Sequence, residues 1–171
     1  VSGNVSLYNE TDGNAIKPCP VIGMVGLIED WQNAGTIALP LDTSLFIIGQ
    51  NANVNSGWLS NSIYAKSLAN HVGGAPPKID LEAELKTGLF ILSCYENKLV
   101  QAAHDISDGG MLVALAEMML TGNHGAHITL PDTIDPHSWC FAENQSSYII
   151  ATTDPGELVR NAEQTQIPFF H

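Results

Sequence analysis

The chain has 171 residues, 44% of them hydrophobic and 14% charged, which is enough apolar material for one ordinary globular core. The formal net charge is −12 and Arg160 is the single arginine. This balance argues against nucleic acid and against an anionic membrane as partners, because both select clustered Lys and Arg. Three separated cysteines without a CxxC pair indicate reduced thiols in a cytoplasmic protein.

The first predicted element is a strand over residues 2–8, whose alternation places Asn4, Ser6 and Tyr8 on one face. An amide oxygen such as that of Asn4 can ligate Mg²⁺, and the hydroxyl of Ser6 can donate to a substrate oxygen. Gly3 would let a ligand approach the backbone closely. Spacing alone favours a polar outer face of an edge strand over a ligand site, and both interpretations stay open.

A turn at residues 11–14 and a buried strand at 21–28 come next, and we expect a domain boundary near Asp30. Beyond that boundary, strands and helices interleave, which predicts a mixed α/β fold. The predicted strands cover 36–39, 45–49, 99–103, 127–130 and 147–153. The predicted helices cover 60–72, a segment from residue 80, a segment after residue 110, and 155–164.

The clearest helix signal begins at Asp80, with Glu82 and Glu84 near the positive end of the helix dipole. We interpret these acidic residues as a solvated first turn. Four leucines follow at helical spacing and predict the side that faces the core. They are Leu81, Leu85, Leu89 and Leu92.

Residues 104–110 combine a histidine, two aspartates, a serine and two glycines at a predicted strand-to-helix junction. Such junctions bind anions in α/β proteins, but Asp105 and Asp108 would repel a bare phosphate, so a metal–nucleotide complex fits better. The alternative is a helix cap in which Ser107 or Asp108 accepts the first free amides. Glu143 and Gln145, two apart at a strand entrance, could likewise bind a polar ligand or simply begin the strand.

Several of these segments together resemble one family, in order and over essentially the whole chain. The chain is similar to phosphoribosylformylglycinamidine synthase (formylglycinamide ribonucleotide amidotransferase), synthase subunit of the small, multi-subunit type. This family belongs to the aminoimidazole-ribonucleotide-synthetase-like superfamily. The matching segments are residues 1–10, 15–30, 102–110, 112–118 and 143–148.

The resemblance implies the fold and its division. Residues 1–30 would be the end of a second N-terminal-type domain, contributing its last strands. Residues 31–171 would be a second domain of the aminoimidazole-ribonucleotide-synthetase C-terminal type, a mixed sheet with flanking helices. That domain is expected to be truncated at its end, so that the chain is a C-terminal fragment lacking the family's final segment.

The resemblance also implies an ATP-dependent, amidine-forming carbon–nitrogen ligase of purine biosynthesis. The substrate would be formylglycinamide ribonucleotide, the cofactors ATP and Mg²⁺, and the partners a glutaminase subunit and a small accessory subunit. The family pattern assigns Gly3 to ATP, Asn4 to magnesium and Ser6 to the ribonucleotide. It places the catalytic histidines and lysine outside this chain, so no catalytic residue is expected here and the fragment alone should be inactive.

The segment containing Glu143 and Gln145 matches the family's counterpart near an auxiliary, non-reacting nucleotide. It reads Glu-Asn-Gln where the substrate-contacting copy has Glu-Ser-Gln. Residues 59–62 read Leu-Ser-Asn-Ser where the family has Leu-Gly-Gln-Ser, which puts a ligand role for that loop in doubt. The competing hypothesis from another class is a noncatalytic nucleotide-binding or interaction module.

Overall fold

The computed structural model describes residues 9–17, 19, 22–50, 59–71, 73–130 and 134–171. The chain divides into two compact units, Val1–Trp31 and Gln32–His171. Assigning these units to the two domain types expected from the resemblance remains a prediction. Gly3, Asn4 and Ser6 lie outside the described residues, and so does the opening strand expected over residues 2–8.

The first unit contains a small hairpin of β1 (Glu10–Thr11) and β2 (Asn14–Ala15), paired antiparallel. Asp12 and Gly13 between them both have positive φ, of 53° and 76°, which is the backbone of the tight hairpin turns that match strand twist. The predicted turn is therefore confirmed. The predicted buried strand at 21–28 is wrong for residues 22–28, which are exposed and form no ladder with described residues.

Among the described residues, the second unit is built on four antiparallel strands in the order β4-β5-β3-β6. Its strands are β3 (Ser44–Gly49), β4 (Ala102–Asp105), β5 (Ser147–Thr152) and β6 (Phe169–Phe170). A short 3₁₀ helix spans Trp31–Asn33. The helices are α1 (Ile63–Leu68), α2 (Leu81–Glu96), α3 (Gly110–Gly122), α4 (Pro136–Phe141) and α5 (Pro155–Thr165).

Each face of this sheet carries its own apolar core. Ile47 of β3 packs with α3 and α4 on one face, whereas its neighbours Phe46 and Ile48 pack with α2 and α5 on the other. This alternation is what a strand with period two requires when both faces are covered. The predicted α/β fold, a sheet flanked by helices, is therefore confirmed, and the ladders described are antiparallel.

Helix α2 begins where the sequence predicts, because Asp80 Oδ1 accepts hydrogen bonds from the amides of Glu82 and Ala83, at 3.1 and 3.0 Å. The predicted core face is wrong. The four leucines of the stripe are exposed, at 77% for Leu81, 64% for Leu85, 57% for Leu89 and 60% for Leu92. The helix instead buries Thr87, Phe90, Ile91 and Cys94. Both the leucine side of α2 and the side that carries Phe90 are apolar, and it is the side with Phe90 that packs against the sheet.

Other differences concern strands without a ladder partner. Residues 36–39 are not a strand, although Thr36 O accepts from the amide of Ala103 at 3.0 Å. Residues 127–130 are also not a strand.

The helix predicted over 60–72 is confined to α1, where buried Ser62 is the N-cap and accepts a hydrogen bond from the amide of Ala65. Helix α4, capped by Asp135, was not predicted. Across the described residues, no helix has the length and apolar character needed to span a bilayer.

Candidate functional site

Two of the segments singled out in the sequence meet at the edge of the sheet. Strands β4 and β5 pair so that Asp105 lies opposite Tyr148, and the amide of Ile106 donates to Ser147 O at 2.8 Å. The junction at 104–110 and the segment at 143–148 therefore line one cavity of about 370 Å³. Its acidic and amide side chains are those of Glu84, Asp105, Asp108, Glu143, Asn144 and Gln145.

Glu143, in the wall of this cavity, connects the starts of two helices. Its Oε1 atom accepts hydrogen bonds from the amide of Ile63, at 2.8 Å, and from the amide of Gly109, at 2.9 Å. The first donor starts α1 and the second precedes α3, so one carboxylate oxygen satisfies free amides at two helix starts. Glu143 thus positions these helices, and this oxygen has less capacity left for a ligand.

Ser146 connects the same cavity to α2. It is buried, has a left-handed φ of 57°, and its Oγ donates to Glu84 Oε2 at 2.6 Å. The interpretation of Glu84 as part of a solvated first turn is therefore incomplete. Sequence patterns could not show this contact, because 62 residues separate its two members. The nearby Gly49 has a φ of 93°, and a Cβ there would lie 1.9 Å from Ser146 O, so only glycine fits.

The start of α3 is not capped by a side chain of the residues that immediately precede it. The N-cap is Gly109, with a φ of 85° and no side-chain cap bond, and the amide of Gly110 donates to Ser107 O at 3.0 Å. The capping role considered for Ser107 or Asp108 is therefore wrong. A Cβ on Gly110 would lie 2.5 Å from the carbonyl carbon of Phe141, so the glycine permits close contact with the end of α4.

His104 is held beside the cavity by carboxylates on both sides. Its Nδ1 lies 3.1 Å from Asp105 Oδ1 and its Nε2 lies 2.8 Å from Glu117 Oε2, with only 14% of the side chain exposed. Both ring nitrogens are thus engaged with neighbours. The imidazole therefore links the end of β4, where Asp105 lies at the rim of the cavity, to Glu117 of α3.

The electrostatics of the cavity are acidic. Four carboxylates line it, and no Lys or Arg is among the described residues of its lining. Burial raises the pKa of Tyr148, and the charges of Glu84 and Asp105 raise it further. A bare phosphate would be repelled here. Among the residues that the structure describes, no three His, Cys, Asp or Glu side chains are grouped as metal ligands.

Comparison with known proteins decides the family. The model of the family "AIR synthase related protein, C-terminal domain" matches residues 44–165, most of the chain. The chain belongs to this family. The matched residues include every described strand of the sheet except β6, and all of α1 to α5.

Curated relatives extend the AIR synthase related match to almost the whole chain. The chain is 45% identical over 169 residues to the phosphoribosylformylglycinamidine synthase subunit PurL of Acidiphilium cryptum, covering 98% of this chain and 23% of that protein. It is 44% identical over 177 residues to PurL of Zymomonas mobilis, covering 99% and 24%. The resemblance stated from the motifs is confirmed. The chain spans about a quarter of the length of these relatives.

Solved structures share the fold of this AIR synthase related chain. A Thermotoga maritima PurL structure described as complexed with FGAR has a TM-score of 0.60 at 19% identity, over 80% of this chain and 24% of that one. The structure of PurLQS from the same organism has a TM-score of 0.55 at 20% identity, over 80% and 22%. At these identities the likeness shows the fold alone.

Proposed function

We propose that this chain is part of an ATP-dependent carbon–nitrogen ligase that forms an amidine in de novo purine biosynthesis. The observation that carries the proposal is the 41–45% identity to PurL subunits over 98% of the chain. The Thermotoga maritima relatives with the same fold are described in complexes with ATP, FGAR, AMPPCP and ADP. These ligands support ATP and formylglycinamide ribonucleotide as the molecules handled by the whole protein.

The proposed reaction has two balanced steps. The amide oxygen of formylglycinamide ribonucleotide attacks the γ-phosphorus of ATP, and ADP leaves. Glutamine-derived ammonia then adds to the activated carbon, and inorganic phosphate leaves to give formylglycinamidine ribonucleotide. Positioning and charge neutralisation dominate such phosphoryl transfers, which suits a protein that binds the two substrates in line.

We assign ATP contact to Gly3, Mg²⁺ binding to Asn4 and ribonucleotide contact to Ser6. Their chemistry supports these roles, because glycine permits close backbone approach, an amide oxygen is a hard ligand, and a hydroxyl donates to substrate oxygen. When bound, Mg²⁺ would neutralise phosphate charge. No catalytic acid or base is assigned within the chain. In the acidic cavity, Glu143 is proposed to position α1 and α3.

The whole protein is proposed to work in the cytoplasm with a glutaminase subunit and a small accessory subunit. The chain by itself is proposed to lack synthase activity, because it spans only about a quarter of its relatives. The alternative, a noncatalytic nucleotide-binding module, predicts that this chain binds Mg-ATP unaided. Titrating the chain with Mg-ATP by calorimetry separates the two. We expect no heat of binding at micromolar protein, and saturable micromolar binding would favour the module.

The metal assignment is tested by Asn4→Ala in the full-length protein, assayed for ammonia-dependent synthase activity over a range of Mg²⁺ concentrations. We expect turnover to fall by about 100-fold, since loss of an electrostatic or metal contact at a reacting phosphoryl group costs on this scale. Asn14→Ala is the matched control, because Asn14 lies in β2 and its side chain donates a hydrogen bond to Asp12 O in the hairpin turn. Near-normal turnover of Asn4→Ala would remove the assignment.

A further inference from the structure

The leucine stripe of α2 is an apolar surface that is open to solvent. Its four members are 57–77% exposed, and they are Leu81, Leu85, Leu89 and Leu92. Since successive helical residues are about 100° apart, the stripe lies opposite the side that packs in the core through Phe90 and Cys94. A single exposed leucine is ordinary on a protein surface, whereas a row of four along one helix is typical of a contact surface.

Gly88 leaves a gap within this stripe. It lies between Leu85 and Leu92 along the helix, and a Cβ built on it would have nothing within 4 Å. Glycine weakens a helix relative to alanine, so an exposed glycine inside the 16 residues of α2 carries a cost that alanine would avoid. The gap is a hole of the kind that receives a large side chain when a second helix packs alongside.

The spacing of the stripe is the same in both chain directions. From Leu81 to Leu85, Gly88 and Leu92 the intervals are four, three and four residues, which is the spacing of a helix–helix seam. A second α2 laid antiparallel therefore places Leu92 opposite Leu81, and Leu85 opposite Gly88. Parallel pairing would instead bring two Gly88 residues together and leave a void, and it would align the helix dipoles unfavourably. This self-complementarity favours a second copy of the chain over an unrelated partner.

We propose that the leucine stripe is an interface between two copies of this chain, with α2 packed antiparallel on α2 about a two-fold axis. Leu85 of each copy enters the space above Gly88 of the other copy. Leu81 of each copy packs on Leu92 of the other copy, at the two ends of the seam. The interface is isologous, because one patch serves both copies.

The contact is weak and reversible. Helix α2 is about 24 Å long, so one helix pair buries less than the roughly 800 Å² per partner that is typical of stable complexes. Each copy also has a formal net charge of −12, so the two copies repel each other. The chain is therefore monomeric at about 1 µM, with the stripe open to water, and it dimerises as the concentration rises.

Sedimentation equilibrium of this chain from about 5 to about 500 µM tests the interface. We expect the mean molar mass to rise from the monomer value toward the dimer value, and Leu85→Glu to stay monomeric throughout. Leu120→Glu is the matched control, because Leu120 is 81% exposed on α3, which packs on the other face of the sheet. A monomeric parent chain at the highest concentration would overturn the proposal, as would equal dimerisation by Leu85→Glu.

Substitutions of Gly88 test whether the gap is used. Alanine and leucine form helices better than glycine, so Gly88→Ala and Gly88→Leu should not destabilise the monomer. Both fill the hole, and we expect Gly88→Leu to raise the dissociation constant of the dimer by at least about tenfold. Nonspecific apolar attraction predicts the opposite, so tighter dimerisation of Gly88→Leu would contradict the proposed packing.

Disulfide trapping tests the direction of the two helices. Leu81→Cys and Leu92→Cys are prepared separately in a Cys19→Ser background, which removes the exposed native thiol. In the antiparallel pair, two copies of position 81 lie roughly 16 Å apart along the axis, too far for a disulfide. Mild oxidation should therefore cross-link the mixture of the two variants and neither variant alone. Efficient cross-linking of Leu81→Cys with itself would overturn the antiparallel arrangement.

Discussion

Leu89 and Phe90 are consecutive residues of α2, yet Leu89 is 57% exposed and Phe90 only 6%. The helix turns by about 100° per residue, so neighbours in sequence can lie on different faces. Phe90 packs with Ile48, Ile150 and Leu158 in the core between the sheet and α5, whereas Leu89 belongs to the exposed leucine stripe. The stability of the second unit should therefore depend on Phe90 and hardly on Leu89.

We predict that Phe90→Ala lowers the free energy of unfolding by about 3–5 kcal/mol, because it removes a buried ring and leaves a cavity. Leu89→Ala should change it by no more than about 0.5 kcal/mol, as expected of an exposed position. Urea unfolding followed by circular dichroism measures both. A large loss of stability in Leu89→Ala would mean that the leucine stripe is covered in the protein as purified.

The glycines Gly88 and Gly110 should respond oppositely to the same substitution. Gly110 has a φ of 77° and no room for a Cβ beside Phe141, so Gly110→Ala should destabilise the chain by more than about 1 kcal/mol. Gly88 lies inside α2 with nothing within 4 Å of an added Cβ, so Gly88→Ala should stabilise it by about 0.5–1 kcal/mol. Thermal unfolding of both variants checks the pair. A loss of stability in Gly88→Ala would contradict the open space beside α2.

Glu143→Ala should lower the free energy of unfolding by about 2 kcal/mol, because two backbone amides lose a charged acceptor and Gly109 is buried. Glu163→Ala is the matched control, since Glu163 is an exposed position of α5. Hydrogen exchange adds a local readout, as the amides of Ile63 and Gly109 should both exchange faster in Glu143→Ala. Unchanged protection of both amides would show that the carboxylate does not join them in solution.

The thiols should differ in reactivity according to burial. Cys94 is 2% exposed, and burial raises its pKa from the ordinary 9.0 to about 11; burial also raises the pKa of Cys140. Cys19 is exposed. Ellman's reagent at pH 8 should therefore modify Cys19 at once, and Cys94 and Cys140 only as the chain unfolds. Rapid modification of all three thiols in the native chain would contradict the described packing.

The raised pKa of Cys94 also predicts a pH dependence of the free energy of unfolding. Between pH 9.0 and about 11 the unfolded chain releases the Cys94 proton while the folded chain retains it. The unfolded state then binds fewer protons, so the contribution of this group to stability is complete below pH 9 and declines as the pH rises through that window. Cys94→Ala should lose this decline, which urea midpoints at pH 8 and pH 10.5 would show. An equal decline in Cys94→Ala would assign it to other groups.

Local signals predicted the parts of the fold that local chemistry determines. The cap at Asp80, the hairpin turn at Asp12 and the apolar strand at 45–49 depend on neighbours in sequence, and all three are present. Two segments, 127–130 and 22–28, have strand-like composition but join no ladder with described residues, because strand formation depends on a partner that composition cannot reveal.

The candidate site shows the same division. Sequence placed polar residues at 104–110 and at 143–148, and the pairing of β4 with β5 brings these segments together. It could not show that Glu143 would bond amides 80 and 34 residues away, or that Glu84 would reach Ser146. Such contacts depend on how the helices are placed against the sheet. The roles of Gly3, Asn4 and Ser6 stay predictions, since these residues lie outside the described part of the chain.

The single oxygen of Glu143 that joins the starts of α1 and α3 also bears on the order of folding. Its two bonds close loops of very different length, and a longer loop is entropically slower to close. The bond to Gly109 should therefore form before the bond to Ile63, and α1 should gain protection after α3 during refolding. Helix α1 would then detach before α3 when the native chain opens locally.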